Sequence, residues 1–265
     1  MRGCIFAVTS LFFFGLAGCG DKALQEEIVQ THPDGAKKAV LFFAGNKANL
    51  KKILMYYPDG AVQSEHYFTR GKPKWGRPGP SDILRALGVA ANVFPDSVAV
   101  IYFPNGRKRS EVRYVEGKKD GNETTWYENG QIQSNANYAG GIVQGTTVSY
   151  YDDGTKSSEV TCSNGIKEGL ETKWYPDGKK KEETPYKGGN LNGVMKKYFP
   201  NGNPQEEYTY QENTLSGSFA IYYENGQKCE AGAYKDGKYH GKREQWDMKG
   251  RKETSVEYDN GVLVE

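Results

Sequence analysis

Hydrophobic and polar residues alternate along most of the chain in short stretches, each about six or seven residues long. In residues 170–175 (LETKWY), every second residue is Leu, Thr or Trp, and the residues between them are Glu, Lys and Tyr. A period of two is typical of a strand with one face more buried than the other, and stretches this short do not suit helices. The pattern therefore predicts an all-β chain.

A five-residue motif separates these stretches: two aromatic residues, a variable residue, Asp or Asn, and Gly, as in WYPDG at residues 174–178. Pro or Glu followed by Asp or Asn favours a type I turn, and Gly then takes the left-handed conformation that closes a bulged hairpin. The motif recurs at a period of 24 residues, with turn glycines at Gly106, Gly130, Gly154, Gly178, Gly202, Gly226 and Gly250. So strict a period indicates tandem repeats.

Three further positions recur when residues are counted from the turn glycine as position zero. A second glycine falls at +11 and a third at +15, as Gly165 and Gly169 do after Gly154, and an aromatic residue is usual at +8. We interpret the +11 to +15 segment as a second, looser turn. Each repeat is then one β-hairpin, and consecutive hairpins should pair in one elongated antiparallel sheet. We expect the Trp and +8 aromatic rows to share one face.

The aromatic-aromatic-x-Asn/Asp-Gly opening resembles the bacterial variant of the MORN-type repeat, which is typical of the YwqK-like proteins labelled antitoxin components. The resemblance covers about residues 50–265. It implies a β-hairpin scaffold that is reused for different partners, and it leaves open an antitoxin- or immunity-like inhibitor.

The first 18 residues are predicted to be a lipoprotein signal peptide. Arg2 precedes an apolar stretch, and residues 16–19 read Leu-Ala-Gly-Cys. This pattern predicts cleavage before Cys19, lipidation of its thiol, and a membrane anchor at the bacterial cell envelope. A plain secretory signal and a retained membrane anchor are the alternatives.

The remaining chain is divided by the strength of the repeat. Residues 19–34 are predicted to be a lipidated N-terminus and linker with a helical turn around residues 24–29. Residues 35–76 form degenerate repeats, and residues 98–265 form seven regular ones. The pattern fails in residues 77–97, which we interpret as an insertion with a short helix over residues 83–91. This insertion either packs over the sheet or docks a partner.

Composition and motifs indicate no catalytic chemistry. The 35 basic residues nearly balance the 33 acidic ones, which disfavours nucleic acid as a partner. The three histidines are isolated, and the sequence holds no metal-binding, phosphate-binding or nucleophile motif. Cys162 and Cys229 are expected to be unpaired, since 67 residues of stacked strands separate them. We expect no catalytic residue, metal or cofactor.

The aromatic rows are the feature with binding potential. The second aromatic of each motif lies at the turn end of the sheet, where it is at most half-buried. We take four of these as tentative binding residues: Tyr127, Tyr151, Tyr175 and Tyr223. The sequence thus predicts an anchored scaffold that binds an unknown protein. The alternatives are an inhibitor, an envelope enzyme acting on glycans, and a lipid-binding module.

Overall fold

The computed structural model describes residues 24–44, 50–68 and 96–264. Over these residues it contains 22 strands and no helix, which confirms the all-β prediction. The predicted signal peptide, Cys19 and the 77–97 insertion with its helix lie outside the described residues, apart from the last two residues of that insertion. No helix in the described part is long and apolar enough to cross a membrane.

The strands belong to two compact units. The first contains β1 (Leu24–Thr31), β2 (Lys37–Ala44), β3 (Leu50–Tyr56), β4 (Val62–Phe68), β5 (Asp96–Tyr102), β6 (Lys108–Val115) and β7 (Lys118–Trp126). The residues of β8 (Ile132–Ala139) and β9 (Ile142–Val143) are divided between the units. The second contains β10 (Gly145–Tyr150), β11 (Lys156–Ser163), β12 (Ile166–Trp174), β13 (Lys180–Lys187), β14 (Asn190–Leu191), β15 (Gly193–Tyr198), β16 (Pro204–Gln211), β17 (Thr214–Tyr222), β18 (Lys228–Lys235), β19 (Lys238–Tyr239), β20 (Gly241–Trp246), β21 (Lys252–Asp259) and β22 (Val262–Leu263).

Within each unit, neighbouring long strands pair antiparallel in the order of the chain. In the first unit the pairing runs from β1 to β7 without a crossover. In the second, β10 to β13 are followed by β15 to β18 and then by β20 and β21. The short β14, β19 and β22 each extend a hairpin. One hairpin per repeat is therefore confirmed.

Strand β1 corrects the prediction of a helical turn around residues 24–29 inside a linker. Leu24–Thr31 is extended and pairs with β2, whose sequence KKAVLFFA is largely buried. The residues of β1 are polar enough to suggest a linker, but pairing with a hydrophobic neighbour decides their conformation.

The motif turns have the predicted geometry. Gly178 has a φ of 81° and donates its backbone N–H to the carbonyl of Tyr175 at 2.9 Å. The Asp177 carboxylate accepts the backbone N–H of Lys179 at 3.1 Å, as Asp side chains do in such turns. A register shift between Lys173 and Trp174 marks the bulge beside the turn.

The second turn is tighter than predicted. Asn164 and Gly165 have φ values of 52° and 76°, so both central residues are left-handed, as in a two-residue type I′ hairpin. The third glycine, Gly169, lies inside β12, where Glu159 faces Thr172 but Thr161 faces Glu168. The +15 glycine therefore makes a bulge here, and in other repeats it begins a strand, as Gly193 begins β15. The prediction of a loose turn is wrong.

The two aromatic rows lie on opposite faces of the sheet, so the prediction of a shared face is also wrong. In the second unit, Thr172 pairs with Glu183, and Gly169 pairs with Tyr186. Paired residues share a face, and Thr172 shares its face with Trp174 by alternation. Trp174 therefore lies on the same face as Glu183, and Tyr186 lies on the other side. We call these the tryptophan face and the tyrosine face. The bulge beside each motif turn adds one residue, which reverses the expected side.

The hydrophobic core is concentrated in the first unit. Among the described residues, its buried hydrophobic side chains are Ala39, Val40, Leu41, Phe43, Ile53, Leu54, Ala99, Val100, Val112 and Tyr114. The second unit buries only Phe219 and Ala220 in this class. Most of its aromatic residues are half-buried, so its sheet surface is open to contact.

Candidate interaction surface

The tentative binding tyrosines tie neighbouring repeats together. Tyr151 donates its hydroxyl to the carbonyl of Trp174 at 2.7 Å. Tyr175 and Tyr223 donate in the same way to the first aromatic of the next motif, at 2.7 and 3.0 Å. Tyr127 is half-buried like the others. The three hydroxyls thus have a structural partner, and a binding role for the four residues stays a prediction.

His32 shows the same arrangement in the degenerate first motif. Its Nε2 lies 3.0 Å from the carbonyl oxygen of Tyr56, the first aromatic of the following motif. His32 therefore occupies the position of the second aromatic residue, and its imidazole replaces the tyrosine phenol in the hydrogen bond to the next motif.

The tyrosine face differs most among repeats at positions +13 and +17. In one repeat these are Lys167 and Glu171, which form an ion pair at 2.8 Å. The Lys167 ammonium also lies 4.8 Å from the centre of the Tyr186 ring. This +8 tyrosine is thus covered by a charged pair.

In the last repeats, Leu and Phe and then Tyr and Arg replace the Lys–Glu pair. The same two positions are Leu215 and Phe219 in one repeat, and Tyr239 and Arg243 in the next. The sequence analysis did not identify these residues, because it used only the positions at which the repeats agree. The informative positions were +13 and +17, at which the repeats differ.

These substitutions build a cluster of five rings, which we call the tyrosine cluster: Tyr208, Phe219, Tyr234, Tyr239 and Tyr258. The Tyr208 and Phe219 rings are stacked at 5.8 Å between centroids with an interplanar angle of 9°. Tyr234 and Tyr239 are stacked at 4.6 Å, and Tyr239 lies 5.3 Å from Tyr258. The rings lie on successive strands, so their spacing follows the spacing of the strands.

Gly232 makes room for the central ring. It pairs with Phe219 across β17 and β18, and a Cβ at position 232 would lie 2.9 Å from Phe219 Cε1. The same Cβ would be 3.2 Å from the carbonyl oxygen of Lys242. Phe219 is only 3% exposed because its ring fits over this glycine. Here glycine supplies space, since its φ is not in the left-handed region.

An ion pair borders the cluster. Arg243 Nε donates to Glu230 Oε1 at 2.7 Å, and its guanidinium lies 5.0 Å from the centre of the Tyr239 ring. Burial acts to raise the pKa of Glu230, but hydrogen bonds from Arg243 and Gln245 outweigh burial and lower it. The hydrogen bond to Glu230 raises the pKa of Arg243. Both groups therefore stay charged at neutral pH and neutralise each other.

The phenols of Tyr208 and Tyr234 stay protonated at neutral pH. Burial raises the pKa of Tyr208. Burial and a hydrogen bond with Tyr239 raise the pKa of Tyr234. These two side chains therefore add hydroxyl groups and no charge to the surface.

The other candidate residues do not assemble into a site. Cys162 and Cys229 are free thiols, as expected. His66 is buried, and burial lowers its pKa to about 4. In the part of the chain that the structure describes, no three His, Cys, Asp or Glu side chains are grouped so as to hold a metal ion.

The repeats and the bulged hairpins define a tandem β-hairpin repeat protein. The family model described as the MORN repeat variant matches residues 119–139, 167–187 and 191–212. The chain thus carries MORN-type repeats in these three segments. No curated protein matches the sequence.

Similar solved structures add no argument about function. The crystal structure of TcdB2-TccC3-TEV is 12% identical, with a TM-score of 0.24, over 89% of this chain and 13% of that one. The crystal structure of TcdB2-TccC3 is also 12% identical, with a TM-score of 0.21, over 86% of this chain and 13% of that one. The chain thus spans about an eighth of the length of these structures.

Proposed function

We propose that the protein is a non-catalytic binding module, tethered to the bacterial cell envelope by a lipid on Cys19, and that it binds a partner protein through the tyrosine face. MORN-type repeats support a repeat-based binding module. The observation that carries the proposal is the tyrosine cluster, in which half-exposed tyrosine rings lie side by side and Tyr239 takes the position that Lys167 holds in an earlier repeat.

The chemistry of the cluster suits a protein partner. Tyrosine and arginine are enriched among the residues that dominate binding energy at protein interfaces. Phe219 anchors the surrounding tyrosines, so little side-chain freedom remains to be lost on binding. Because Arg243 and Glu230 are occupied with each other, the proposal assigns them no catalytic role.

The envelope location rests on the sequence of residues 16–19, which precede the described part of the chain. A cysteine that carries two or three acyl chains holds a protein firmly at a membrane. The repeats would then be presented to other proteins of the envelope.

Site-specific photocrosslinking in intact cells tests the binding surface. A photoreactive residue at Thr254 would lie on the tyrosine face, and one at the adjacent Ser255 would lie on the tryptophan face. Both positions are exposed, so they form a matched pair. We expect one dominant protein adduct from position 254 and little from position 255. The adduct should weaken when Tyr239→Ser is added.

Equal crosslinking from both faces would contradict the assignment of the tyrosine face as the binding surface. An adduct at position 254 that Tyr239→Ser does not weaken would contradict it as well. The identity of the crosslinked protein distinguishes a scaffold from an antitoxin- or immunity-like inhibitor, the two roles that the resemblance leaves open. A toxin whose activity falls on binding would show an inhibitor instead of a scaffold.

A further inference from the structure

The stacking of the tyrosine cluster decides which parts of its rings a ligand can reach. Tyr239 has Tyr234 on one side at 4.6 Å and Tyr258 on the other at 5.3 Å. Tyr208 lies against Phe219 with nearly parallel planes. The facing sides of these neighbouring rings are therefore covered by each other. A ligand meets the uncovered parts of the half-exposed tyrosine rings and their hydroxyl groups.

Hydrogen-bond donors dominate this surface. The phenols of the cluster offer O–H groups. The carboxylate of Glu230 is occupied by Arg243 and Gln245, at 2.7 and 3.2 Å. The complementary ligand has carbonyl acceptors and apolar groups, with few donors of its own. A proline-rich segment fits this description, because proline has no backbone N–H and the polyproline II helix leaves its carbonyls unbonded.

The surface also lacks net charge. Arg243 pairs with Glu230 at 2.7 Å, and Lys197 pairs with Glu206 at 2.9 Å on the same face. A neutral segment therefore suits the cluster better than an acidic peptide or an anionic membrane surface does.

The spacing of the repeats matches the pitch of polyproline II. Two strands per repeat advance the sheet by roughly 9.6 Å. Three residues of polyproline II, one full turn, advance by about 9.3 Å. The +8 tyrosines Tyr210, Tyr234 and Tyr258 occur once per repeat on the tyrosine face. A polyproline II segment that crosses the strands would thus bring every third residue to an equivalent tyrosine.

We infer that the tyrosine cluster binds a neutral, proline-rich segment of a partner protein in the polyproline II conformation. This inference rests on the proposed function, since it names the partner chemistry of the same surface. The segment lies across β16 to β21, with its carbonyls accepting from tyrosine hydroxyls such as that of Tyr239 and its proline rings against the uncovered parts of the tyrosine rings.

Peptide binding to the purified full-length protein in detergent tests the inference. The probe is a fluorescent 12-residue peptide with proline at every third position and alanine elsewhere, and binding is read as fluorescence anisotropy. The control peptide has the same length but proline at every fourth position. We expect the first peptide to bind about tenfold more tightly or better, because only its proline spacing matches the spacing of the repeats.

Variants locate the binding. Tyr239→Ala should weaken binding about tenfold or more, as for an interface residue that dominates affinity. Tyr239→Phe keeps the stacking and removes the hydroxyl, so it should give a smaller loss. Tyr186→Ala, which changes a ring already covered by Lys167, should leave the affinity within about twofold. A thermal unfolding curve for each variant shows that the fold is retained.

Equal affinity for the two peptides, or binding that survives Tyr239→Ala, would overturn the inference. So would stronger binding, dependent on Tyr239, of an acidic peptide, a β-linked oligosaccharide or vesicles of phosphatidylglycerol. If no proline-rich peptide binds while the adduct at position 254 still depends on Tyr239, the inference fails and the proposed function stands. If position 254 also gives no adduct that depends on Tyr239, the proposed function fails as well.

Discussion

Replacing Gly232 by alanine should destabilise the second unit by crowding Phe219. The added Cβ would lie 2.9 Å from Phe219 Cε1 and 3.3 Å from the Cα of Arg243. Phe219 cannot move aside freely, because Tyr208, Tyr234 and Tyr239 surround its ring. Overpacking of this kind costs about 1–3 kcal/mol. Alanine is more favourable than glycine in a strand by roughly 0.5–1 kcal/mol, so we expect the free energy of unfolding to fall by a net value of about 0–2.5 kcal/mol.

A double-mutant cycle isolates the clash from other effects of the substitution. In a Phe219→Ala background the ring is gone, so Gly232→Ala should be neutral or stabilise by roughly 0.5–1 kcal/mol. The two substitutions should therefore show a coupling free energy of about 1–3 kcal/mol. Amide hydrogen exchange of β17 and β18 is the suitable assay, since repeat proteins lose structure locally.

The sign of the effect is the decisive outcome. If Gly232→Ala stabilised the otherwise unchanged protein, the ring would not be held over the glycine as described. If the two substitutions were additive, the cost would come from the backbone of β18 and not from Phe219.

Four further predictions address the anchor, the turns, the ties and the buried histidine. Mass spectrometry should find an acylated N-terminal cysteine, and Cys19→Ala should shift the protein out of the membrane fraction; an unmodified mature protein would refute the lipid anchor. Gly178→Val should destabilise its hairpin by about 1–3 kcal/mol, since only the φ of 81° is strained and a Cβ there meets nothing within 4 Å; Gly178→Asn should cost less in the same denaturation assay, because Asn tolerates the left-handed region. Tyr175→Phe should cost about 0.5–1.5 kcal/mol, the net value of its hydrogen bond to the next repeat, and should increase hydrogen exchange in β15; no change would show that the tie contributes nothing. Because burial lowers the folded-state pKa of His66 to about 4, below its usual 6.5, the unfolded state binds the proton first; stability should fall from pH 6.5 toward pH 4, by on the order of 3 kcal/mol in total, and a His66→Leu variant should lose this dependence in urea titrations.

The hairpins and motif turns were predictable because their signals are local. Asp177 and Gly178 carry the turn in their own side chain and backbone preferences, and the 24-residue period repeats the signal in each unit. Strand β1 was not predictable in this way. Its residues LQEEIVQT favour no structure strongly, and they are extended because β2 offers a hydrophobic partner. That information lies in the pairing and not in residues 24–31.

The face of the sheet on which each aromatic row lies could not be predicted from alternation alone, because it depends on the register of strand pairing. A strand shows which residues alternate, but not how that alternation continues past a bulge. One extra residue between Trp174 and Glu182 places Tyr186 on the face opposite Trp174. The hydrogen bond from the Tyr198 hydroxyl to Glu183, 2.6 Å long, joins two residues that only this register places on one side.

The location of the tyrosine cluster depends on the same register. Positions +6, +8, +13 and +17 are spread over most of a repeat, and nothing in their sequence spacing indicates that they meet. They meet because the bulges place all four columns on one face, where Tyr208, Phe219 and Tyr234 come from three successive strands. In a repeat protein, the positions that are the same in every repeat build the scaffold, since each repeat must fit its neighbours. A binding surface needs residues that differ from repeat to repeat, and it forms where several such variable positions share a face. Arg243 and Phe219 at the same +17 position, with Glu171 in an earlier repeat, identify that column on the tyrosine face.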